Sequence, residues 1–232
     1  MQKGRLFKTK GIALNYIKYR DTSIIAKIYT EEFGLQSYVQ NGVRSSKSHP
    51  KMALFQPLTL LDLVVYYKED QEIHRISEIR CNHPYYNLQV NRIKILIGTF
   101  IAEILTKSIH EGDVNKPLFG FLEEMLCKFD SMKSDFENFH VQFLFAMMQH
   151  LGFQPHSSHE FLDQLINFDP RNAILYEDKM MNEVISDFLG NGNTNKINGR
   201  IRSQLLQLLV DFYHLHIEKF GEVKSLKILR EL

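Results

Sequence analysis

The chain has 232 residues, 44% of them hydrophobic, with a formal net charge of +1, which is enough for the core of one large or two smaller domains. The longest apolar run, residues 93–105, is interrupted by Lys94 and Glu103 and is too short to span a bilayer, and no apolar segment follows the basic N-terminus, so neither membrane insertion nor export is expected. The only two cysteines, Cys81 and Cys127, are too far apart in sequence to form a CxxC metal-binding pair and too few for a disulfide-rich framework. We therefore expect a cytoplasmic protein with inert thiols.

Charge is distributed unevenly along the sequence. Residues 1–61 carry ten Lys or Arg and three acids, whereas residues 62–232 carry eighteen Lys or Arg and twenty-four acids, so the net charges are +7 and −6. A concentration of cations on a short segment is typical of a surface that follows a phosphate backbone. An ordinary solvated cationic face is the alternative that charge alone leaves open.

The first eighty residues are rich in β-branched and aromatic residues separated by turn signals. The predicted strands span residues 11–19, 23–30, 35–41, 58–67 and 73–79. Phe33 and Gly34 mark one reversal, and the polar residues 68–71 connect the last two strands. Five strands in about seventy residues, with alternating apolar positions, predict a small antiparallel barrel of OB-fold size.

After Pro84 the apolar period changes from two to about 3.6, which indicates helices. The predicted helices span residues 87–109, 116–129, 136–151, 177–189 and 200–220. Gly152 ends the third of these, with Pro155 just beyond it. We therefore predict an α+β protein, with a five-stranded OB-fold barrel in residues 1–80 followed by an all-α helical domain in residues 81–232.

Several short segments occur in the order and spacing of a known family. They lie at residues 11–14, 19–26, 30–34, 41–47 and 54–58, and the end of the chain, residues 223–232, adds a closing helix pattern. Together they resemble the bacterial RecO family of DNA repair proteins. The resemblance is specific over residues 9–80, modest at the C-terminus and weak in the middle helices.

This resemblance implies a recombination mediator. Such a protein binds single- and double-stranded DNA, anneals complementary strands, and works with RecR so that the RecA recombinase replaces single-stranded-DNA-binding protein. It also implies a location near the nucleoid and a helical half that contacts partners, including the C-terminal tail of single-stranded-DNA-binding protein. A tail of that kind needs an apolar groove beside a cation, for which residues 93–100 with Arg92 or Lys94 are one source and ordinary core packing is the other explanation.

The family's zinc region is degenerate here. After residues 151–155, many members carry two cysteine pairs that hold a structural zinc, whereas this chain has His156 and His159 and no later pair. Because two histidines do not complete a tetrahedral site, we predict no bound metal and no cofactor, and interpret both as surface-loop histidines. Within the degenerate region, residues 151–178, packing then has to replace the metal. The aromatic and apolar residues available are Phe153, Phe161, Leu165 and Phe168.

The candidate DNA contacts are cations of the N-terminal half, and those of residues 41–51 have no acidic neighbours in sequence. In order of preference they are Arg44, Lys47, Lys51, Lys8, Lys10, Arg20 and Lys18. Tyr38, together with His49, is the candidate for stacking on a base, with Tyr16 and Tyr19 as the alternative, although any tyrosine on a barrel strand can instead belong to the core. Since no motif that reads base edges is present, binding should be independent of sequence. Five neutralised phosphates would give a log–log salt slope of about −3.5.

Catalytic signatures are missing from the sequence. It has no Walker-type loop, and His159 with Glu160 and Asp163 falls short of a HExxH zinc motif. We therefore interpret the protein as a non-enzyme. The alternative function is a helical scaffold whose small barrel binds a protein or an acidic ligand instead of DNA, and a metal-dependent hydrolase ranks behind both because carboxylates are not clustered.

Overall fold

The computed structural model describes residues 5–44, 49–175, 178–190 and 197–229. The N-terminal part of the chain forms a five-stranded barrel. Its strands are β1 (Arg5–Tyr19), β2 (Ser23–Thr30), β3 (Gly34–Gln40), β4 (Leu60–Tyr67) and β5 (Ile73–His83). They follow the order β1–β2–β3–β5–β4, and β4 pairs with β1 to close the barrel. With the short helix α1 (His49–Ala53) between β3 and β4, this is the predicted OB-fold.

Strand β1 pairs with two neighbouring strands. Residues 5–12 pair with β4 and residues 11–19 with β2, and the register shifts by one residue between Ala13 and Asn15. A bulge of this kind bends a strand and increases its twist, which lets β1 pass from one side of the barrel to the other. The prediction began this strand at residue 11 and ended β5 at residue 79, so both strands are longer than expected.

Helices make up the rest of the described chain. They are α2 (Arg92–Ser108), α3 (Lys116–Ser131), α4 (Phe139–Leu151), α5 (Ser158–Phe168), α6 (Lys179–Leu189), α7 (Gly199–His216) and α8 (Ser225–Leu229), with 3₁₀ turns at Phe136–Asn138 and Pro170–Leu175. Helix α5 was not predicted as a helix, and α2 begins five residues later than predicted. No helix in the described parts of the chain is both long and apolar enough to cross a membrane.

The late start of α2 has a physical cause. The carboxylate of Asp130, at the end of α3, accepts the backbone N–H groups of Tyr86, Asn87 and Leu88 at 2.7–3.0 Å. These N–H groups are therefore held in a linker, and Asn91 caps the helix that follows. Burial by itself would raise the pKa of Asp130, but the three N–H groups lower it overall.

Two hydrophobic clusters stabilise the molecule. One fills the barrel interior, with Ala26, Ile28 and Leu63 among its members. The other joins outward-facing barrel residues, including Ile12 and Tyr29, to the helices. The Tyr29 hydroxyl also donates to the carbonyl of Asn115 just before α3, at 3.0 Å. One face of the barrel is thus buried against the helical half, and only its remaining surface is available to a ligand.

Candidate nucleic-acid interface

One end of the barrel collects cations from two connections. The β1–β2 turn, residues 20–22, and the exit from β3, residues 41–44, lie at the same end because β1, β2 and β3 form an antiparallel meander. We call this surface the basic end and define it by the cations on these connections and at the end of β1. Its described members are Lys18, Arg20 and Arg44, and we assign to it the exposed Lys51 of α1, the helix that follows residues 41–44 in the sequence.

The charge of the basic end is largely uncompensated. Lys18, Arg20 and Lys51 are exposed and Arg44 is half-buried, and none of the four forms an ion pair within the described residues. Asp21 lies on the β1–β2 turn itself, whereas Glu31 and Glu32 follow β2 at the opposite end of that strand. Positive potential therefore persists at this surface, as binding to phosphates requires.

The two connections are joined by hydrogen bonds. The Arg44 amide donates to the carbonyl of Thr22 at 3.0 Å, and Arg44 Nη1 donates to the carbonyl of Arg20 at 3.1 Å. Beside them, the Ser23 hydroxyl donates to Asn41 Oδ1 at 2.9 Å. The turn is therefore fixed by the adjacent connection. Sequence reasoning missed this link, because nothing in the local pattern relates residues 20 and 44.

Arg20 and Tyr19 form the aromatic part of the basic end. The Arg20 guanidinium lies over the Tyr19 ring, 5.1 Å from its centroid, a distance at which a cation and an aromatic face attract each other. Tyr19 is half-buried at the end of β1, so part of its ring meets solvent. A ring beside cations is the combination that OB-folds use to hold single strands.

The structure corrects the prediction for Tyr38. Its side chain is 0% exposed and packs inside the barrel, with its ring centroid 5.8 Å from that of His74. Burial raises the pKa of Tyr38 well above its usual range. Because no base can reach this ring in the folded protein, Tyr38 is a core residue, and Tyr16 and Tyr19, both half-buried, remain the aromatic candidates.

Lys8 and Lys10 do not belong to the basic end. They lie on the first half of β1, and the buried residues 11–14 separate them from Lys18. Ten residues of strand correspond to about 33 Å. Lys10 Nζ donates to Glu123 on α3 at 2.8 Å, and this hydrogen bond raises the pKa of Lys10. A carboxylate from the helical half thus neutralises this cation.

Lys8 lines a surface cavity of about 670 Å³ formed by residues of β1, β4 and β5. Arg80 also lines it, together with the acids Glu31, Asp62 and Glu78. Mixed charge of this kind does not favour a polyanion. Lys47, the remaining predicted contact, lies outside the described residues.

Lys94 has a structural role. Its side chain is 1% exposed, and Nζ donates to the carbonyls of Phe129, Asp130 and Met132 at 2.6–3.0 Å. These carbonyls lie at the C-terminal end of α3, where helix geometry leaves acceptors without partners. Burial lowers the pKa of Lys94. The ammonium group is therefore not available to a partner's carboxylate, and Arg92, which is exposed, is the cation on this part of α2 that solvent reaches.

The region of the degenerate zinc site is helical. His159 lies on α5 and is not a loop residue as predicted, and Glu160 Oε2 accepts the backbone N–H of His156 at 2.7 Å. Phe161 and Leu165 are fully buried, but Phe168 is 48% exposed and does not contribute to the core as expected. Among the described residues, no three His, Cys, Asp or Glu side chains are grouped as metal ligands.

The closed barrel and the helical bundle packed on it place this chain among two-part OB-fold proteins. The family model for the N-terminal part of recombination protein O matches residues 1–85, and the model for its C-terminal part matches residues 89–170. These two matches together cover the barrel and the first helices.

Curated relatives match along the whole chain. DNA repair protein RecO of Flavobacterium psychrophilum is 35% identical over 97% of this chain and 98% of the relative. The proteins of the same name from Bacteroides fragilis and Phocaeicola vulgatus are 31% and 32% identical, over 98% of this chain and 99% of each relative. The chain therefore belongs to the RecO family of DNA repair and recombination proteins.

Proposed function

We propose that this protein binds single- and double-stranded DNA through the basic end, without sequence specificity, and anneals complementary strands as a non-enzymatic recombination mediator. The observation that supports this most strongly is the group of Lys18, Arg20 and Arg44 at one end of an OB-fold, with Asp21 as their acidic neighbour, together with Lys51 exposed on α1. Phosphate contacts supply affinity without reading sequence.

Annealing requires little beyond this surface. Two complementary strands repel each other, and a protein that neutralises their phosphates lowers that repulsion. The bases must stay accessible for pairing, which an exposed and shallow surface allows. A partly exposed ring such as Tyr19 holds a strand through stacking that any base can make.

The two halves of the chain have different proposed binding partners. We propose that residues 1–80 bind nucleic acid and that residues 81–232, which carry the excess of acids, bind proteins. Membership of the RecO family supports RecR and the tail of single-stranded-DNA-binding protein as partners, with RecA acting downstream. Because Lys94 is occupied by backbone carbonyls, Arg92 is the cation of α2 that we propose for a tail carboxylate.

A salt titration of binding tests this function. Fluorescence anisotropy with a labelled single strand is compared between the wild type and a Lys18→Ala/Arg20→Ala/Lys51→Ala variant. At about −0.7 per phosphate contact, removal of three contacts should make the log–log salt slope shallower by about 2.1.

A matched control removes three exposed lysines of the helical half, Lys128, Lys133 and Lys179. It carries the same change of net charge and should leave the slope unchanged. Equal effects of the two triple variants, or binding that hardly depends on salt, would contradict the proposed function.

A further inference from the structure

The β1–β2 turn has an unfavourable backbone conformation at the residue that carries its cation. Arg20 has φ 49°, in the left-handed region, although it is not a glycine. Long side chains rarely adopt this conformation, which is strained and persists only where neighbouring structure enforces it. The turn therefore needs an external support.

Arg44 supplies contacts of the kind required. Its amide and its guanidinium donate to Thr22 and Arg20, two carbonyls of the same turn. Arg44 is also half-buried, whereas Arg20 and Lys18 are exposed. A half-buried side chain that donates to its own backbone in this way is better placed to stabilise the neighbouring turn than to contact a ligand.

We propose that Arg44 is a positioning residue, which holds the β1–β2 turn so that Arg20 is presented to a strand, and that Arg44 does not itself contact a phosphate. This inference rests on the proposed function and assigns roles within the basic end. It changes the sequence-based expectation, in which Arg44 was the first choice for a direct DNA contact.

A double-mutant cycle of Arg44→Ala and Arg20→Ala tests the proposal. If Arg44 acts through Arg20, each single change lowers strand affinity, and Arg44→Ala has less than a twofold further effect when Arg20 is already alanine. In that background the salt slope should also stay unchanged, whereas loss of a phosphate contact would make it shallower by about 0.7.

Lys51→Ala provides the matched control in the same cycle. Lys51 is exposed on α1, so its effect should add to that of Arg20→Ala. Additive effects of Arg44→Ala and Arg20→Ala, with strand binding intact in the wild type, would overturn the positioning role alone. A wild type whose binding does not depend on salt would instead overturn the proposed function.

Hydrogen exchange provides a test that does not depend on DNA, and its first part uses only the wild-type protein. In the wild-type protein the Arg44 amide, which donates to Thr22, should exchange slowly. Amides of residues 19–23 should exchange faster in Arg44→Ala and stay unchanged in Lys51→Ala. Rapid exchange of the Arg44 amide in the folded wild type would contradict the proposed support.

Discussion

Lys10 and Lys27 lie on the same two barrel strands that lead into the basic end, yet their surroundings differ from those of Lys18 and Arg20. Lys10 pairs with Glu123 and Lys27 with Glu111, both from the helical half. Lys18 and Arg20 have no such partner within the described residues. Cations of equal charge thus divide into a group that joins the two halves and a group that faces solvent. What divides them is the carboxylates brought near by the fold, and these are distant in sequence.

The largest effect is expected where a cation is most deeply buried. Lys94→Met removes the donor for three carbonyls at the end of α3, and the free energy of unfolding should fall by about 3–5 kcal/mol. Urea denaturation measures this loss. Lys128→Met, an exposed change on the same helix, should remain within about 0.5 kcal/mol, and an equal loss in both variants would show that Lys94 has no special role.

Tyr19 and Tyr38 allow the same comparison, between a side chain that solvent reaches and a buried one, for aromatic residues. Tyr19→Ala should weaken single-strand binding by about 1–3 kcal/mol, or about 5- to 150-fold, because a base loses its stacking partner. Tyr19→Phe keeps the ring and should bind nearly as well as the wild type. Tyr38→Phe, inside the barrel, should change affinity less than twofold in an anisotropy titration. A larger loss for Tyr38→Phe than for Tyr19→Ala would reverse our assignment.

A buried histidine in the helical half gives a prediction for pH. Burial lowers the pKa of His140 to about 3, with the Arg202 charge acting in the same direction, while the unfolded chain titrates near 6.5. The unfolded state therefore binds the proton between these values, and stability present above pH 6.5 is lost as pH falls. From pH 7.5 to 5.5 this group should cost about 1.4 kcal/mol.

The variant His140→Leu isolates this contribution. Its free energy of unfolding should fall by about 1.4 kcal/mol less than that of the wild type over the same pH interval. His156, which is exposed, provides the control, since His156→Ala should keep the wild-type dependence. If His140→Leu and the wild type lose stability in parallel, His140 does not titrate as proposed.

The smallest effect is expected from the cations that join the two halves. Lys10→Ala removes the pair with Glu123, and because both side chains remain partly exposed, stability should change by at most about 1 kcal/mol. Strand affinity in the same variant should change less than twofold. A loss of affinity as large as that of Arg20→Ala would show that Lys10 contacts DNA despite its ion pair.

Much of the barrel could be predicted, since alternation and turn chemistry act locally. The predicted β2, residues 23–30, matches the observed strand. The tight reversal at Phe33 and Gly34 also determines the register between β2 and β3, which the prediction did not use. It places Tyr38 opposite Ala26, and an interior Ala26 implies an interior Tyr38. That register would have excluded Tyr38 from the candidate site.

Contacts between distant residues could not be predicted in this way. Lys10 and Glu123 are separated by 113 positions, and no periodic pattern connects them. The burial of Lys94 depends on where α3 ends against α2, which helix propensity does not determine. The same holds for Arg44, whose role follows from the approach of two connections across the end of the barrel.

Lysine acetylation with and without a bound single strand tests the central assignment most directly. Mass spectrometry would compare each lysine of the wild-type protein in the two states. We predict that the strand protects Lys18 and Lys51 and leaves Lys8, Lys128 and Lys133 equally reactive. Protection of the helical lysines, or of Lys8 in place of Lys18 and Lys51, would contradict a DNA surface at the basic end.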